Sequence, residues 1–481
     1  MDRLERRDLL RFGAVGGLAL AAPPLVAQSL STPPRPGEPV TPEMFGARGD
    51  GTSDDTAAFQ ALGEWLSRNG GTAQLRRVVY RVGRNLPQTA SETARHSYTF
   101  LPSRVLYIKG ARAPVRIVGN GATLRATRGY RFGTFAANGR PTKHVLPYYG
   151  KDIAAGYYAM VEIEGCRAAV EVADLVLDGN VGEAQVGGPW GDAGYQLPGS
   201  GLVLRNNAAP WRVARVRAFH HPLDGMIVDE APGSAGSVVE DCDFYENGRQ
   251  GVSLVGGERI AFARTRFRRT RRGNSVKSPP GAGLDIEGEG KEVRAPTFVD
   301  CEFSDNEGGG MIAAEGRARG ARFTRCKFVG TTYWSAWPNK PGFVFDECTF
   351  VGALANVYGS PVTGEATRFR RCRFTDDPAL SPTGQVYGRD GAGKPIVDLS
   401  DNPNVVFDAC RFDLTGRTRL PWSTRSVIYN DCTFSQASPE IAYTRGTFTG
   451  STTITGQVSI TDSLIRGRFV RNGQSIPPGS Y

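Results

Sequence analysis

Histidine and methionine are scarce, at four and five of 481 residues, and the eight cysteines include no C-x-x-C. With only His96, His144, His220 and His221 available, and none at zinc spacing, a structural zinc site or redox dithiol is not expected. No apolar run approaches the ~20 residues that span a bilayer. Glycine is abundant, 61 residues, but shows no G-X-Y period, which excludes collagen. There is no basic tail: the excess of Lys+Arg over Asp+Glu, 58 − 48 = +10, is spread along the chain. That distribution favours an anionic ligand over nucleic acid. Hydrophobic residues at 40% and aromatics at 10% exclude a disordered chain and supply a core.

The N-terminus reads as an export signal. Arg6-Arg7 precedes an apolar stretch, Phe12 to Ala22, and a small-residue end at Ala27. The pattern resembles a Tat leader over 1–27, which implies the Tat machinery as a partner and a periplasmic or secreted protein. Residues 28–38 are Ser/Thr/Pro-rich and read as a linker. A cap and first coils are expected over 39–110 and a solenoid over 111–481, together one domain.

A template of apolar, two residues, Cys or apolar, one residue, Phe or apolar recurs along the chain. It appears as Val239-Glu-Asp-Cys242-Asp-Phe244, Phe298-Val-Asp-Cys301-Glu-Phe303 and Phe323-Thr-Arg-Cys326-Lys-Phe328, and again at Cys348, Cys372, Cys410 and Cys432. Spacings between successive last positions, such as 350 − 328 = 22 and 328 − 303 = 25, match one solenoid coil. Cysteines that share parity with a buried Phe point inward as small apolar residues, so free thiols are expected.

Phe45-Gly-Ala-Arg-Gly-Asp-Gly-Thr-Ser-Asp-Asp-Thr-Ala-Ala-Phe59 closely resembles the opening motif of the pectate-lyase/polygalacturonase-like superfamily. The resemblance implies an all-β, single-stranded right-handed parallel β-helix whose N-terminal end carries a short capping helix. Asp54 or Asp55 can cap that helix, with Ala58, Leu62, Trp65 and Leu66 on its inner face. The stretch from Cys242 to Ser253, with Gly281-Ala-Gly-Leu-Asp285-Ile-Glu287, looks like a pattern recurring in bacterial right-handed β-helix proteins. The Asn-Thr-Asp, Gly-His-Gly and Arg-Ile-Lys elements of polygalacturonases are missing, as are the Arg-x-Pro-x-x-Arg and Trp-x-Asp-His elements of pectate lyases. Pectin specificity is therefore not implied.

Strands beginning at Val161, Leu202, Met226, Val252, Leu284 and Met311 follow the template, and alternation turns their second and fourth residues outward. The outward columns are Glu162, Val203, Ile227, Ser253, Asp285, Ile312 and Glu164, Arg205, Asp229, Val255, Glu287, Ala314. Insertions cluster in the turn before these strands. One runs from Thr127 to Tyr157, one over 179–200 with Trp190 and Tyr195, and one over 268–282 with Lys277; Tyr333, Trp334 and Trp337 follow. Loops added on one side of a sheet build a groove wall, and aromatics with Arg and Lys suit acidic sugars.

Asp285 and Glu287 lie two residues apart on one strand, with Cα atoms roughly 6.5–7 Å apart. They can serve as acid and nucleophile or acid and base, with Asp229 on a neighbouring sugar. Alternatively they bind calcium that bridges to a uronate carboxylate, and Arg249, Lys277 or a histidine abstracts a proton. A third reading is a salt bridge with nearby arginines. Arg205, Arg249, Ser253, His220, His221, Lys277 and Trp334 are the expected substrate contacts. The expectation is an exported protein that binds an acidic polysaccharide, with no nucleic-acid or membrane partner, and hydrolyses it without a required cofactor. Calcium-assisted β-elimination or uronate epimerisation is the alternative. A non-catalytic adhesion solenoid is the rival from another class.

Overall fold

The structure, a computed structural model, describes residues 37–481 apart from 88–99, 134, 137, 142–157, 188–196, 232, 234–235, 363, 391–393, 400–401, 422, 424–425 and 438–441. The leader-like segment, residues 88–99 with His96, and parts of the insertions over 127–157 and 179–200 with His144, Trp190 and Tyr195 lie outside the described residues. The chain divides into two compact units. The first holds residues up to 258 with 271–279 and 288–292; the second holds 259–270, 280–287 and 293–481.

In the first unit, helix α1 (Thr56–Asn69) buries Ala58, Phe59, Leu62 and Leu66. Trp65, expected on that face, is only half-buried. Gly63 lets the helix sit directly on the backbone of Tyr107, where a Cβ would lie 2.7 Å from the carbonyl oxygen. Asp54 accepts from Thr56 N–H at 2.9 Å, while Asp55, the N-cap residue, turns back to accept from Arg48 and Gly49 N–H. The glycine-rich motif is thus pinned by a carboxylate, which explains its Asp-Asp pair.

One parallel sheet of this unit stacks strands Leu106–Lys109, Ala159–Glu164, Ser200–Arg205, Asp224–Asp229 and Gln250–Glu258 in register. Leu106, Val161, Leu202, Met226 and Val252 form one inward column and are fully buried. The second unit continues the same grammar with Leu284–Ile286, Met311–Ala313 and Ala336–Pro338.

The seven Cys-bearing template copies, and three more with Leu175, Val216 and Thr265 in the Cys position, carry a feature that strand alternation cannot supply. The residue before the Cys position has positive φ in every one: Asp174, Arg215, Asp241, Arg264, Asp300, Arg325, Glu347, Arg371, Ala409 and Asp431. The template is therefore two short strands joined by a left-handed corner. That corner reconciles the odd three-residue step from Phe to Cys with both side chains pointing inward. From Asp174 to Arg371 the corner side chains alternate in sign: Arg215 pairs with Asp174 at 2.6 Å and Arg325 with Asp300 at 2.8 Å. Exposed pairs of this kind add little stability.

At Ala409 the strain has no side-chain compensation, because the residue is exposed at φ 52°. Ala409→Gly is expected to raise stability by about 0.5–1 kcal/mol, since glycine adopts this conformation without the Cβ clash but loses more chain entropy on folding. A shift of the urea midpoint at constant slope is the readout.

The second unit's core is two columns of stacked rings. Phe298, Phe323, Phe345 and Phe369 follow one another at 4.6, 4.8 and 5.1 Å. Phe303, Phe328, Phe350 and Phe374 do so at 4.7, 4.9 and 5.1 Å. Those distances are the inter-strand spacing of a sheet, so coil stacking and ring stacking enforce each other. All eight cysteines are buried thiols, and six of them, Cys301, Cys326, Cys348, Cys372, Cys410 and Cys432, belong to this unit. Their thiols donate to backbone carbonyls, Cys326 to Phe298 at 3.5 Å and Cys348 to Phe323 at 3.4 Å. Burial pushes the Cys242 thiol up to about 12, as expected of structural rather than reactive thiols.

Candidate functional site

In the second unit Asp285 sits mid-strand, 5% exposed, in register with Ile312, which in turn pairs with Trp337. Glu287 follows the strand and is half-buried. Lys340 joins them from two coils on. Its Nζ donates to the Ala314 carbonyl at 2.9 Å, and Ala314 is the register neighbour expected for Glu287 when the 285–312 pairing is extended. Desolvation lowers the Lys340 pKa, against the opposing fields of Glu315, Glu287 and Asp285. Two carboxylates and a partly desolvated amine therefore share one edge of the sheet.

Trp334 stands in an aromatic group with Tyr333 and Tyr387, and its ring lies 5.0 Å from that of Tyr387. Lys394 caps the group, with Nζ 4.1 Å from the Tyr387 centroid and 5.2 Å from that of Trp334.

The remaining expected residues belong to the first unit, where most are engaged in ion pairs. Arg249 grips the fully buried Asp224 with both Nε, at 2.8 Å, and a terminal nitrogen; Ser253 donates to the same carboxylate at 2.9 Å. Asp229 pairs with Lys291 at 2.9 Å. A bulge sets Asp229 opposite Gly256, not Val255 as simple alternation requires. A Cβ at Gly256 would stand 2.8 Å from the Lys291 side chain, so glycine there opens the path that lets the lysine cross. Arg205 binds Glu162 at 3.1 Å and Glu164 at 3.0 Å. Lys277 is half-buried in the loop whose Ser278 N–H donates to Gly248.

The outward column of this unit is not a bland surface. Glu162, Val203 and Ile227 are fully buried, and Val203 and Ile227 pack with Ala159, Leu223 and Val255 in an apolar cluster outside the solenoid core. Alternation turns these residues away from the interior, and Leu223 from the preceding turn and Ala159 from the start of its strand pack against them.

The two turn histidines have opposite environments. His220 lies 2.9 Å from Glu246 and 3.5 Å from Asp178, whose hydrogen bonds raise its pKa. His221 is buried, with Nε2 assigned as donor to the Leu177 carbonyl at 3.2 Å, and desolvation pushes its pKa down to about 4. The unfolded chain therefore binds a proton near pH 6.5 that the folded His221 refuses until about pH 4. Stability contributed by His221 is full above pH 6.5 and falls by up to about 3 kcal/mol as pH drops through that window. His220 acts with the opposite sign. The expected result is that His221→Gln flattens the decline in urea midpoint between pH 6.5 and 4 relative to the unchanged protein.

Residues 225–332 match the family model described as right handed beta helix region. The fold is a right-handed parallel β-helix. Among solved structures the chain is similar to the pre-mature gene product 12 of bacteriophage phi29, at TM-score 0.50 and 13% identity over 92% of this chain and 58% of that one. It is also similar to the A-module of mannuronan C-5 epimerase AlgE6 from Azotobacter vinelandii (TM-score 0.39, 13% identity, 91% of this chain and all of that one). A third is the tailspike protein gp49 of Acinetobacter baumannii bacteriophage Fri1, a capsular polysaccharide depolymerase (TM-score 0.40, 12% identity, 87% and 63%). At such identities the likeness is one of fold. No curated protein matches the sequence.

Within this β-helix the residues that sequence reasoning missed are Asp224, Lys291, Lys340 and the cluster around Glu162. Asp224 had a signal, since it opens a strand in register with Gln250. Glu162-Ile-Glu164-Gly165 repeats the Asp285-Ile-Glu287-Gly288 pattern. Lys340 had none, because its approach depends on coil geometry. No cluster of three or more His, Cys, Asp or Glu side chains suited to a metal occurs among the described residues. Asp285 and Glu287 would supply only part of the six to eight oxygens that calcium takes, the rest coming from carbonyls, water or a substrate carboxylate.

Proposed function

We propose that this β-helix binds a polysaccharide along its strand row and hydrolyses it, Asp285 and Glu287 acting as the carboxylate pair. The observation that carries the reading is the placement of two carboxylates two residues apart, Asp285 buried in a strand and Glu287 half-buried just after it, beside Lys340. One carboxyl group protonates the leaving glycosidic oxygen, and the other, as carboxylate, attacks the sugar or activates water. An acidic sugar fits the chain's dispersed positive charge, +10 overall. The leader-like residues 1–27 fit an exported protein, and among the described residues no helix is long and apolar enough to cross a membrane.

Lys340 favours a second reading. A desolvated amine beside carboxylates is suited to abstract the proton next to a uronate carboxylate, as β-elimination or epimerisation requires. The deciding experiment incubates the purified chain with acidic polysaccharides, with and without calcium, following ultraviolet absorbance and reducing ends together. Reducing ends alone mean hydrolysis; both signals rising mean elimination. Binding without either product leaves the adhesion reading.

A further inference from the structure

The first unit contains a second pair of acidic residues two apart on one strand, Glu162 and Glu164, in a setting unlike that of Asp285 and Glu287. Register places Tyr107, Glu162 and Val203 in one row and Lys109, Glu164 and Arg205 in the next. Glu162 is fully buried and receives two guanidinium groups: Arg104 Nε at 2.6 Å from Oε2, and a terminal nitrogen of Arg205 at 3.1 Å from Oε1. The same Arg205 nitrogen donates to Glu164 at 3.0 Å, and the Tyr107 hydroxyl donates to Glu164 as well. Arg104 lies 4.9 Å from the Tyr107 ring centroid and 5.4 Å from that of Tyr158.

This cluster is unfinished in two places. Arg205 Nε is buried without a hydrogen-bond acceptor, and Glu162 Oε1 is buried without a donor in bonding geometry. Leaving such atoms unsatisfied costs free energy, so each points to a group that the protein alone does not supply. The guanidinium groups themselves reach the surface, at 38% side-chain exposure for Arg104 and 22% for Arg205. Arg104 spends only Nε on Glu162, which leaves its two terminal nitrogens, each with two N–H groups, directed elsewhere.

We propose that Arg104 and Arg205, held side by side over the buried Glu162, form a subsite for the carboxylate of an acidic sugar. A planar carboxylate matches the guanidinium fork that Arg104 and Arg205 present at the surface. Desolvation raises the Glu162 pKa, against the opposing fields of Arg104 and Arg205. The inference takes its substrate class from the polysaccharide reading.

The test is calorimetric titration of the full chain with tetragalacturonate, its carboxyl-reduced neutral counterpart and a sulfated tetrasaccharide. The expected result is binding of the uronate in preference to the other two, weakened about tenfold or more by Arg104→Gln and by Arg205→Gln. Arg104→Lys should recover part of the loss, and circular dichroism and thermal melting establish that each variant is folded. Arg325→Gln, at an exposed corner pair away from the carboxylates, should bind the uronate like the unchanged chain; uronate binding with no product formed would sink the hydrolase reading and leave this subsite standing. Equal affinity for the neutral ligand, preference for the sulfated one, no binding of tetragalacturonate, or folded arginine variants that bind normally would each overturn it.

Discussion

Asp285→Asn and Glu287→Gln should each cut product formation by about 10²–10⁴-fold, the usual contribution of a positioned acid or base. Both changes keep shape while removing the proton-transfer group. Because Asp285 is only 5% exposed, its amide also removes a buried charge, so the melting temperature should hold or rise while turnover falls. That split between stability and rate separates a catalytic role from a structural one. Lys340→Gln discriminates between mechanisms. Under hydrolysis it should change the rate modestly, through the field at the two carboxylates, whereas under elimination it removes the base and should match the carboxylate variants. Wild-type rates in both amide variants would move the chemistry elsewhere on the molecule.

Phe323→Ala should be the most damaging single change in the second unit, at about 3–5 kcal/mol. The ring is fully buried and stacks within 4.6 Å of Phe298 and 4.8 Å of Phe345, with the edge of Phe328 at 5.5 Å. Its removal leaves a cavity that the solenoid cannot close, because coil spacing is set by backbone hydrogen bonds between Arg322–Thr324 and its partners on either side. Phe323→Leu keeps much of the volume and should cost considerably less. A urea titration should show the loss as an earlier transition of the second unit, since repeat arrays need not unfold as one body. An unchanged midpoint for Phe323→Ala would mean that the ring column is not the unit's main source of stability.

The Phe–Cys template, its spacing in the low twenties, the capping helix and the inward thiols all follow from order along the chain. A side chain repeated at a fixed interval in a solenoid must stack on its own copy, so periodicity is enough to place it. The same logic put Asp285 and Glu287 two residues apart on one strand row, and the structure places Asp285 mid-strand with Glu287 just beyond its end. It stopped where the answer depends on what lies across the coil. Arg249 and Asp229 read as free groove residues, yet Asp224 and Lys291 claim them. Those partners arrive 25 and 62 residues away in sequence, through a turn and a bulge that alternation does not contain. The left-handed corners were equally hidden, because Asp, Arg, Glu and Ala occupy them where glycine would have advertised the bend.

By itself, then, the sequence determined the solenoid, its interior and the candidate carboxylates, because each rests on repetition along one dimension. Only the tertiary structure decided which charges are committed to partners, which histidine is held neutral, and which polar atoms at Glu162 and Arg205 still lack one. Those outcomes are set by burial and by distances between coils, and neither has a period that can be counted along the chain.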